Sequence, residues 1–509
     1  MNQIQQKIDA VGAERLRQMG RGIEKEGLRV SADGSLALTP HPAALGSALT
    51  HPSITTDYSE SQIEIITGVH QSVQGCLDDL AQVHQYVYQV LQANDERLWI
   101  SSMPCSLPSD ETIPLGRYGT SNIGRSKSVY RMGLGHRYGR RMQTISGIHY
   151  NWSMPGISSE EYFGLIRNFR REAFVLLYLF GASPVLCPCF VQGRQHQLQP
   201  LGDGSGALYL PHATSLRMGR LGYQSDAQAS INVSYNHLKG YADSLYGALT
   251  KPYPDYEKIG VRNLGGEYNQ LGTSLLQIEN EFYGTIRPKR TVQRGERPLH
   301  ALRERGVEYV EVRLMDINPF ENMGISQQTM RLLDVFLLHC LLSDSPPDSP
   351  AEIAEMKHNQ HMAAERGREP GLKLQRQGQE VLLVDWAAEV LAACQPIAAA
   401  LDAAHSSTDY SAALAHAKML LAEPEQTPSA QVLAVVQRDF ASNFKRFGAA
   451  RSEWARDVTM ARPWSDALTQ RYQALAAESV QAQKAMEAAD TMPFEEWRQN
   501  YMSPEHLVV

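Results

Sequence analysis

Four short stretches of this chain alternate apolar residues with ionisable ones, and this alternation restricts the fold more than any other feature. In "RGIEKEGLRV", residues 21–30, Glu24 and Glu26 stand two positions apart. In a strand, residues i and i+2 share a face, so two carboxylates lie side by side. At ~4 Å and an effective dielectric near 20, their repulsion is on the order of 4 kcal/mol. In "SQIEIITGV", residues 61–69, Ile63 and Ile65 point one way and Gln62, Glu64 and Ile66 the other, with Asp57 just upstream. In "TISGIHYNWSMP", residues 144–155, Ile145, Gly147, His149 and Asn151 share one face, and Ile148, Tyr150 and Trp152 the opposite one. "GVEYVEVRLMDINPF", residues 306–320, turns Val310, Val312 and Leu314 one way and Tyr309, Glu311 and Arg313 the other.

Each stretch can pack its apolar side on helices and send its charges to the other side. If all four join one sheet, that side collects Glu24, Glu26, Asp57, Glu64, His149, Glu311 and Arg313. Carboxylates do not converge in a partly buried cleft without counter-charge. Divalent cations supply it. Oxygen ligands with one imidazole and no cysteine suit Mg²⁺ or Mn²⁺ better than Zn²⁺. Magnesium in such a site usually also binds substrate phosphates, which points to phosphoryl transfer from a nucleotide. Arg313, beside Glu311, is placed to hold a phosphoryl oxygen with its planar fork. The alternative is a wet sheet face on which each acid is simply hydrated. Periodicity within one stretch does not separate the two.

With 509 residues, 43% apolar and 20% charged, and a net charge of −7, the chain reads as an ordinary globular protein. This balance gives no reason to expect nucleic acid or a membrane as partner. No apolar run is read as reaching the roughly 20 residues of a membrane helix. The first 20 residues read as an amphipathic helix, with Ile4, Ile8, Val11 and Leu16 near one face, and the cytoplasm is the expected compartment. Six cysteines are too sparse for a disulfide scaffold, and the C-x-C pair Cys187 and Cys189 reads as ordinary buried thiols.

Residues 117–143 carry Arg117, Arg125, Lys127, Arg131, Arg137, Arg140 and Arg141. In an acidic protein this cluster fits an anionic ligand such as nucleotide phosphate; a solvated surface is the plainer reading. "GLGHRYG" has the wrong spacing for a dinucleotide loop, and no P-loop sequence occurs. "SDSPPDSPAEI", residues 343–353, divides two textures. Before it, strand-like runs alternate with helical ones; after it the chain is alanine-rich and helical. We therefore expect an α+β catalytic body over residues 1–342, with an antiparallel or mixed sheet and helices on one face. Residues 354–509 are expected to form a helical layer packed on it, a separate helical domain being the alternative.

Longer motifs add to this reading. "GIEKEGLRV", "SALTHPSITTDYSES", "SSMPC", "RYGTSNIGR", "MQTISGIHYNWSMP", "YLFGASP", "YLPHATSLRMGRLGY", "LQIENEFYGTIRPKR", "VEYVEVRLMDINPF" and the terminal "MEAADTMPFEEW" occur in this order. Together they resemble the gammaproteobacterial type of glutamate–cysteine ligase, from about residue 20 to 320 and again near residue 486. The resemblance implies a glutamine-synthetase-like fold, an antiparallel sheet curved into a bowl with helices outside. It implies ATP-dependent joining of the L-glutamate γ-carboxyl to the L-cysteine amine through γ-glutamyl phosphate. Its magnesium ligands fall on Glu24, Glu26, Asp57, Glu64, His149 and Glu311, the residues collected above.

By the same resemblance, Arg313 and Arg131 stabilise the phosphoryl group and the charged intermediate. The cysteine pocket is lined by Tyr58, Tyr130, Leu134, Gln143, Ile145, Arg217, Tyr223 and Tyr283. Tyr58 stands where phenylalanine occurs in the family, so tolerance of 2-aminobutyrate beside cysteine is expected. Two alternatives stay open at this stage: a γ-glutamyl ligase with another amine acceptor, and a nucleotide- or glutamate-binding sensor without turnover.

Overall fold

The four alternating stretches pair with one another. In the computed structural model, which describes residues 3–203, 206–222, 226–229, 231–293 and 295–508, they belong to one sheet. Its strands are β1 (Gly20–Ser31), β2 (Ile54–Thr56), β3 (Gln62–Ile66), β4 (Glu96–Leu98), β5 (Ile148–Ser153), β6 (Ile286–Lys289) and β7 (Tyr309–Met315). Their order is β2-β3-β1-β5-β7-β6, with β4 paired to the far end of β1. Every pairing is antiparallel. The register sets Glu26 opposite Glu64, Glu24 opposite His149, and Glu311 between Asn151 and Arg287. Directly opposed residues share a face, so the acids of distant segments stand on one side of the sheet.

The other side is the core. Ile23, Ile63, Ile65, Ile148, Tyr150, Trp152, Val310, Val312 and Leu314 are all buried there. Six helices matter for placing the site: α1 (Gln3–Arg17), α2 (Val73–Gln92), α3 (Asn122–Tyr138), α4 (Ser159–Phe180), α5 (Gln327–Leu342) and α6 (Pro350–Arg366). Helices α2 and α4 pack on the sheet, and α5 packs on both of them. Their starts are written in the sequence. Ser72 caps α2, and Ser158 with Glu161 forms a capping box on α4, which satisfies amide groups that would otherwise lack partners. In α1, Ile8 and Leu16 are buried as the amphipathic pattern requires, although Gly12 at φ 77° kinks the helix.

Two polar intrusions into this core were not anticipated. Lys25 points to the apolar side, where its Nζ lies 2.7 Å from His84 Nε2, and burial pulls its pKa down to about 7. Arg21 meets Asp334 of α5 at 3.1 Å, and the Tyr150 hydroxyl donates to the same carboxylate at 2.8 Å. A buried ion pair keeps its charges only when such added hydrogen bonds are made.

The Pro- and Ser-rich stretch after α5 is pinned to α4: Arg167 donates to the Ser345 carbonyl at 2.8 Å and Arg170 meets Asp348 at 3.1 Å. Beyond it the described chain is mostly helical, apart from a small hairpin of Lys373–Arg376 and Gln379–Leu382. Trp386, Leu391 and Leu414 join the same apolar cluster as Ile23 and Val310. One expectation needs correcting. The alanine-rich stretch Leu383–His405 is, by length and composition, apolar enough to cross a membrane. It is split at Cys394 into the helices Leu383–Ala393 and Gln395–His405, and half of it is buried against the rest of the protein.

Candidate active site

The polar face of the sheet opens into a cavity of about 770 Å³. Glu24, Glu26, Asp57, Glu64, His149, Glu311 and Arg313 all line it, as do Arg131, Tyr58, Tyr130, Leu134, Gln143, Arg217 and Tyr283. Ile145 is fully buried in the adjoining apolar cluster and is not part of this lining. Tyr223 lies outside the described residues.

The sheet register brings the ligand-type atoms together. His149 Nδ1 is 3.1 Å from Glu24 Oε2 and 4.0 Å from Glu311 Oε1, and its Nε2 is 3.8 Å from Glu26 Oε1. Glu24, Glu64 and His149 each offer one ligand atom, all within 4.8 Å of one another. Asn151 donates to Glu24 at 3.0 Å, and the Gly147 amide donates to Glu26 at 2.7 Å. Asp57 enters from the turn after β2, where its amide bonds the Gln62 carbonyl at 3.0 Å.

Charge is distributed unevenly across the face. At the β7 side, Glu311 is 2.9 Å from Arg313 and 3.2 Å from Lys289, and Arg287 lies opposite it in β6. Burial works against its charge, but Lys289, Arg313, His149 and Arg287 hold its carboxyl well below the usual range. At the β3 side the balance reverses. Burial, with the charge of Asp57, pushes Glu26 up to about 8. Burial, with Glu24, Asp57 and Glu26, lifts Glu64 well above the ordinary value. His149 is lowered by burial and by Arg313, so its imidazole favours the neutral form that a metal ligand needs. A carboxylate-rich corner short of positive charge, with one neutral imidazole, fits a hard divalent cation.

The arginine-rich stretch divides by role. It folds as α3 and the segments around it, and Lys127 and Arg131 reach the cavity. Arg131 donates to the Asp57 carbonyl and lies 4.5 Å over the Tyr118 ring. Others do structural work: Arg137 pairs with buried Glu281 at 2.8 Å, Arg141 with Asp110 at 2.9 Å, and Arg125 stacks 4.3 Å over Phe494. Of the glycines of "GLGHRYG", Gly139 ends α3 at φ 82°, and the other two allow close packing. A Cβ on Gly133 would come 2.3 Å from Gln277, and one on Gly135 would come 2.7 Å from the Tyr58 hydroxyl. Arg217 is committed to Asp316 at 3.6 Å and to the Arg313 carbonyl at 2.8 Å, so it braces the strand that carries Arg313.

Arg287 and Lys289 were missed from the sequence. They share a face in β6, but Pro288 between them reads as a strand breaker; it is tolerated because β6 is at the sheet edge. Trp497 and Tyr501, on the helix Phe494–Tyr501, also line the cavity, and their rings stack at 4.8 Å.

One cavity combines carboxylates, an imidazole and guanidinium groups over an open antiparallel sheet, a set suited to a divalent cation with an anionic ligand, and the proteins this chain resembles put it in the class of ATP-dependent carboxylate–amine ligases. The glutamate–cysteine ligase family model matches residues 4–363, and the chain belongs to this family. It is 46% identical over 527 residues to the glutamate–cysteine ligase of Alcanivorax borkumensis, covering 98% of this chain and 99% of that one. It is 48% identical over 484 residues to the Pseudomonas aeruginosa enzyme of that name, covering 92% and 90%. The crystal structure of glutamate–cysteine ligase from Francisella tularensis in complex with AMP matches with a TM-score of 0.90 at 36% identity, over 95% of this chain and 97% of that one. A bifunctional glutathione synthetase from Pasteurella multocida shares the fold, with a TM-score of 0.71 at 23% identity, over 93% of this chain and 58% of that one. The enzyme joins glutamate to cysteine with ATP as co-substrate, giving γ-glutamylcysteine.

Proposed function

We propose that the acidic face is where ATP phosphorylates the γ-carboxylate of glutamate and where the cysteine amine displaces the phosphate. The observation that carries this reading is the meeting of Glu24, Glu26, Asp57, Glu64, His149, Glu311 and Arg313 in one cavity from well-separated parts of the chain. We further infer a sheet curved as a glutamine-synthetase-like bowl. In this reading residues 1–342 are the catalytic body and residues 354–509 a layer packed on it in one unit, consistent with the shared apolar cluster. We take the enzyme to work as a monomer, which light scattering of the purified protein would check.

Glu24, Glu26, Asp57, Glu64, His149 and Glu311 would hold magnesium, with manganese as a substitute. Bound there, the metal supplies charge neutralisation and orientation of the phosphates. The γ-carboxylate of glutamate attacks the γ-phosphorus of ATP, ADP leaves, and γ-glutamyl phosphate remains. Arg313, fixed by Glu311 on one side and by Arg217 through its carbonyl, presents its guanidinium to the phosphoryl oxygens. Arg131, anchored on the Asp57 carbonyl, serves the same charge from α3. The cysteine amine then attacks the activated carbonyl, and phosphate departs from the tetrahedral intermediate. Tyr58, Tyr130, Leu134, Gln143 and Tyr283 enclose the amino acid and keep water from the acyl phosphate.

Two predictions arise here. Burial and neighbouring carboxylates push Glu26 up to about 8 and lift Glu64 well above its ordinary value, which favours their protonated forms. A cation needs the carboxylates, so magnesium must displace protons. The half-saturating magnesium concentration should therefore fall as pH rises from about 6 to 8. Calorimetry in two buffers of different ionisation enthalpy should register proton release; a pH-independent affinity would contradict the assignment.

The second prediction concerns the acceptor. The Tyr58 hydroxyl is buried, without a hydrogen-bond partner, and lies against Gly135. Pockets of this kind separate small side chains by only about 1–3 kcal/mol. With ATP, glutamate and magnesium fixed, ADP release should be fastest with cysteine. It should be slower but measurable with 2-aminobutyrate, and near background with glycine or no acceptor. A different preferred amine would instead favour the related ligase activity, and no ADP release at all would favour a sensor.

A further inference from the structure

The C-terminal helix Phe494–Tyr501 forms part of the cavity wall and is fixed there by several contacts. Arg297 donates to the Tyr501 carbonyl at 3.0 Å, lies 4.9 Å over the Tyr501 ring, and is itself held by Glu279 at 2.9 Å. Arg498 donates to the Leu271 carbonyl at 2.5 Å. Phe494 is buried, with Arg125 4.3 Å over its ring and the Tyr268 ring 5.0 Å away. Just beyond the helix, Arg303 donates to the carbonyl of buried Leu507 at 3.0 Å. Phe494, Trp497 and Tyr501 stand at i, i+3 and i+7, so they share a helix face. The Trp497 and Tyr501 rings stack at 4.8 Å and 11°. Both are half-buried and line the cavity, and of the six tryptophans Trp497 alone does so among the described residues. An aromatic pair held this firmly offers a flat apolar surface at little further entropic cost.

Helix α3 connects this surface to the acidic corner. Ile123, Lys127 and Arg131 stand at i, i+4 and i+8, so they share one face of α3, and all three line the cavity. At 1.5 Å per residue, Ile123 and Arg131 are about 12 Å apart along the helix. The Ile123 end lies by the C-terminal segment, where Asn122 donates to the Met492 carbonyl at 2.9 Å. At the other end Arg131 donates to the Asp57 carbonyl. Between them, Lys127 is near enough to Glu64 and Asp57 for their carboxylates to support its charge. One wall thus runs from an aromatic and aliphatic patch, past two cations, to the carboxylates. A nucleoside triphosphate has its parts in the same order: a flat base, a polyphosphate, and a bound cation at the far end.

We propose that the C-terminal helix supplies the base-binding surface of the nucleotide site, with the purine of ATP packed against Trp497 and the phosphates carried along Lys127 and Arg131. The proposal rests on the reading of the acidic face as the place where the γ-phosphate is transferred. Tyr501 backs the indole, and Arg297, locked to Glu279, backs Tyr501, so the surface is set before the nucleotide arrives. Stacking of this kind adds affinity for any flat base and contributes nothing to the grip on phosphate. Trp497 is therefore assigned to binding of the nucleoside half, and the amino-acid substrates do not depend on it.

The test titrates the enzyme, in the presence of magnesium, with ADP and separately with inorganic tripolyphosphate, which has the phosphates and no base. Tryptophan fluorescence and calorimetry are the readouts. ADP should change the fluorescence, and tripolyphosphate should bind with little change. Trp497→Ala should weaken ADP binding roughly tenfold or more and raise the KM for ATP by a similar factor. Its affinity for tripolyphosphate and its KM values for glutamate and cysteine should stay within about twofold of the parent. Trp497→Phe keeps a ring against Tyr501, so it should hold ADP affinity within about threefold and lose the fluorescence change, and it decides the matter if the alanine variant fails to fold. An equal fluorescence change with tripolyphosphate, an ADP-induced change that persists in Trp497→Phe, or unchanged ADP affinity in folded Trp497→Ala would each overturn the proposal. Absence of amide formation by the parent would bring down the function on which the proposal rests; the ADP titrations, which need no turnover, would still decide whether a base meets Trp497.

Discussion

Replacing Glu311 by glutamine is expected to lower kcat by about three orders of magnitude while leaving a folded protein. The side chain is nearly isosteric, so the volume of the site hardly changes. The charge changes greatly. Glu311 is 1% exposed and is surrounded by Arg313 at 2.9 Å, Lys289 at 3.2 Å and His149 at 4.0 Å. An amide there leaves a cluster of cations without its anion, removes a proposed metal ligand, and frees the guanidinium fork that must meet the phosphoryl group. Steady-state ADP release, with circular dichroism to confirm folding, measures the effect. Turnover within tenfold of the parent would move the metal site elsewhere.

Arg313→Lys should cost about two orders of magnitude in kcat with a smaller effect on the KM for ATP. Both side chains are cationic, so the ion pair with Glu311 can survive. What is lost is the planar fork, which can bind Glu311 and a phosphoryl oxygen at once. The charge that builds on the phosphoryl group in the transition state then meets a single mobile ammonium. The ground-state complex is less affected, because Arg131, Lys127, Lys289 and Arg287 still line the cavity. A raised KM for ATP with unchanged kcat would place Arg313 in ground-state binding only.

Much of this site was legible before any coordinates. Strand period fixes which residues share a face, and β1, β3, β5 and β7 obey it, from the buried Ile23 and Val310 to the cavity-lining Glu24 and Glu311. What periodicity could not supply was adjacency: nothing in residues 62–66 says that Glu64 stands opposite Glu26, and only the register does. Short or broken patterns hid other residues. β6 is four residues long with a proline inside, so Arg287 and Lys289 gave no strand signal. Lys25 violates the apolar pattern outright, and only the fold reveals His84 beside it. The arginine-rich stretch misled in part, because Arg125, Arg137 and Arg141 answer to aromatic rings and carboxylates of the protein itself.

The most direct measurement follows oxygen atoms. Glutamate labelled with ¹⁸O in its γ-carboxylate is supplied with ATP, cysteine and magnesium, and the released phosphate is examined by ³¹P NMR. If the γ-carboxylate attacks the γ-phosphorus within this cavity, each phosphate released carries one labelled oxygen, and Glu311→Gln slows label transfer and ADP release together. Unlabelled phosphate appearing alongside γ-glutamylcysteine would contradict phosphorylation of the glutamate side chain.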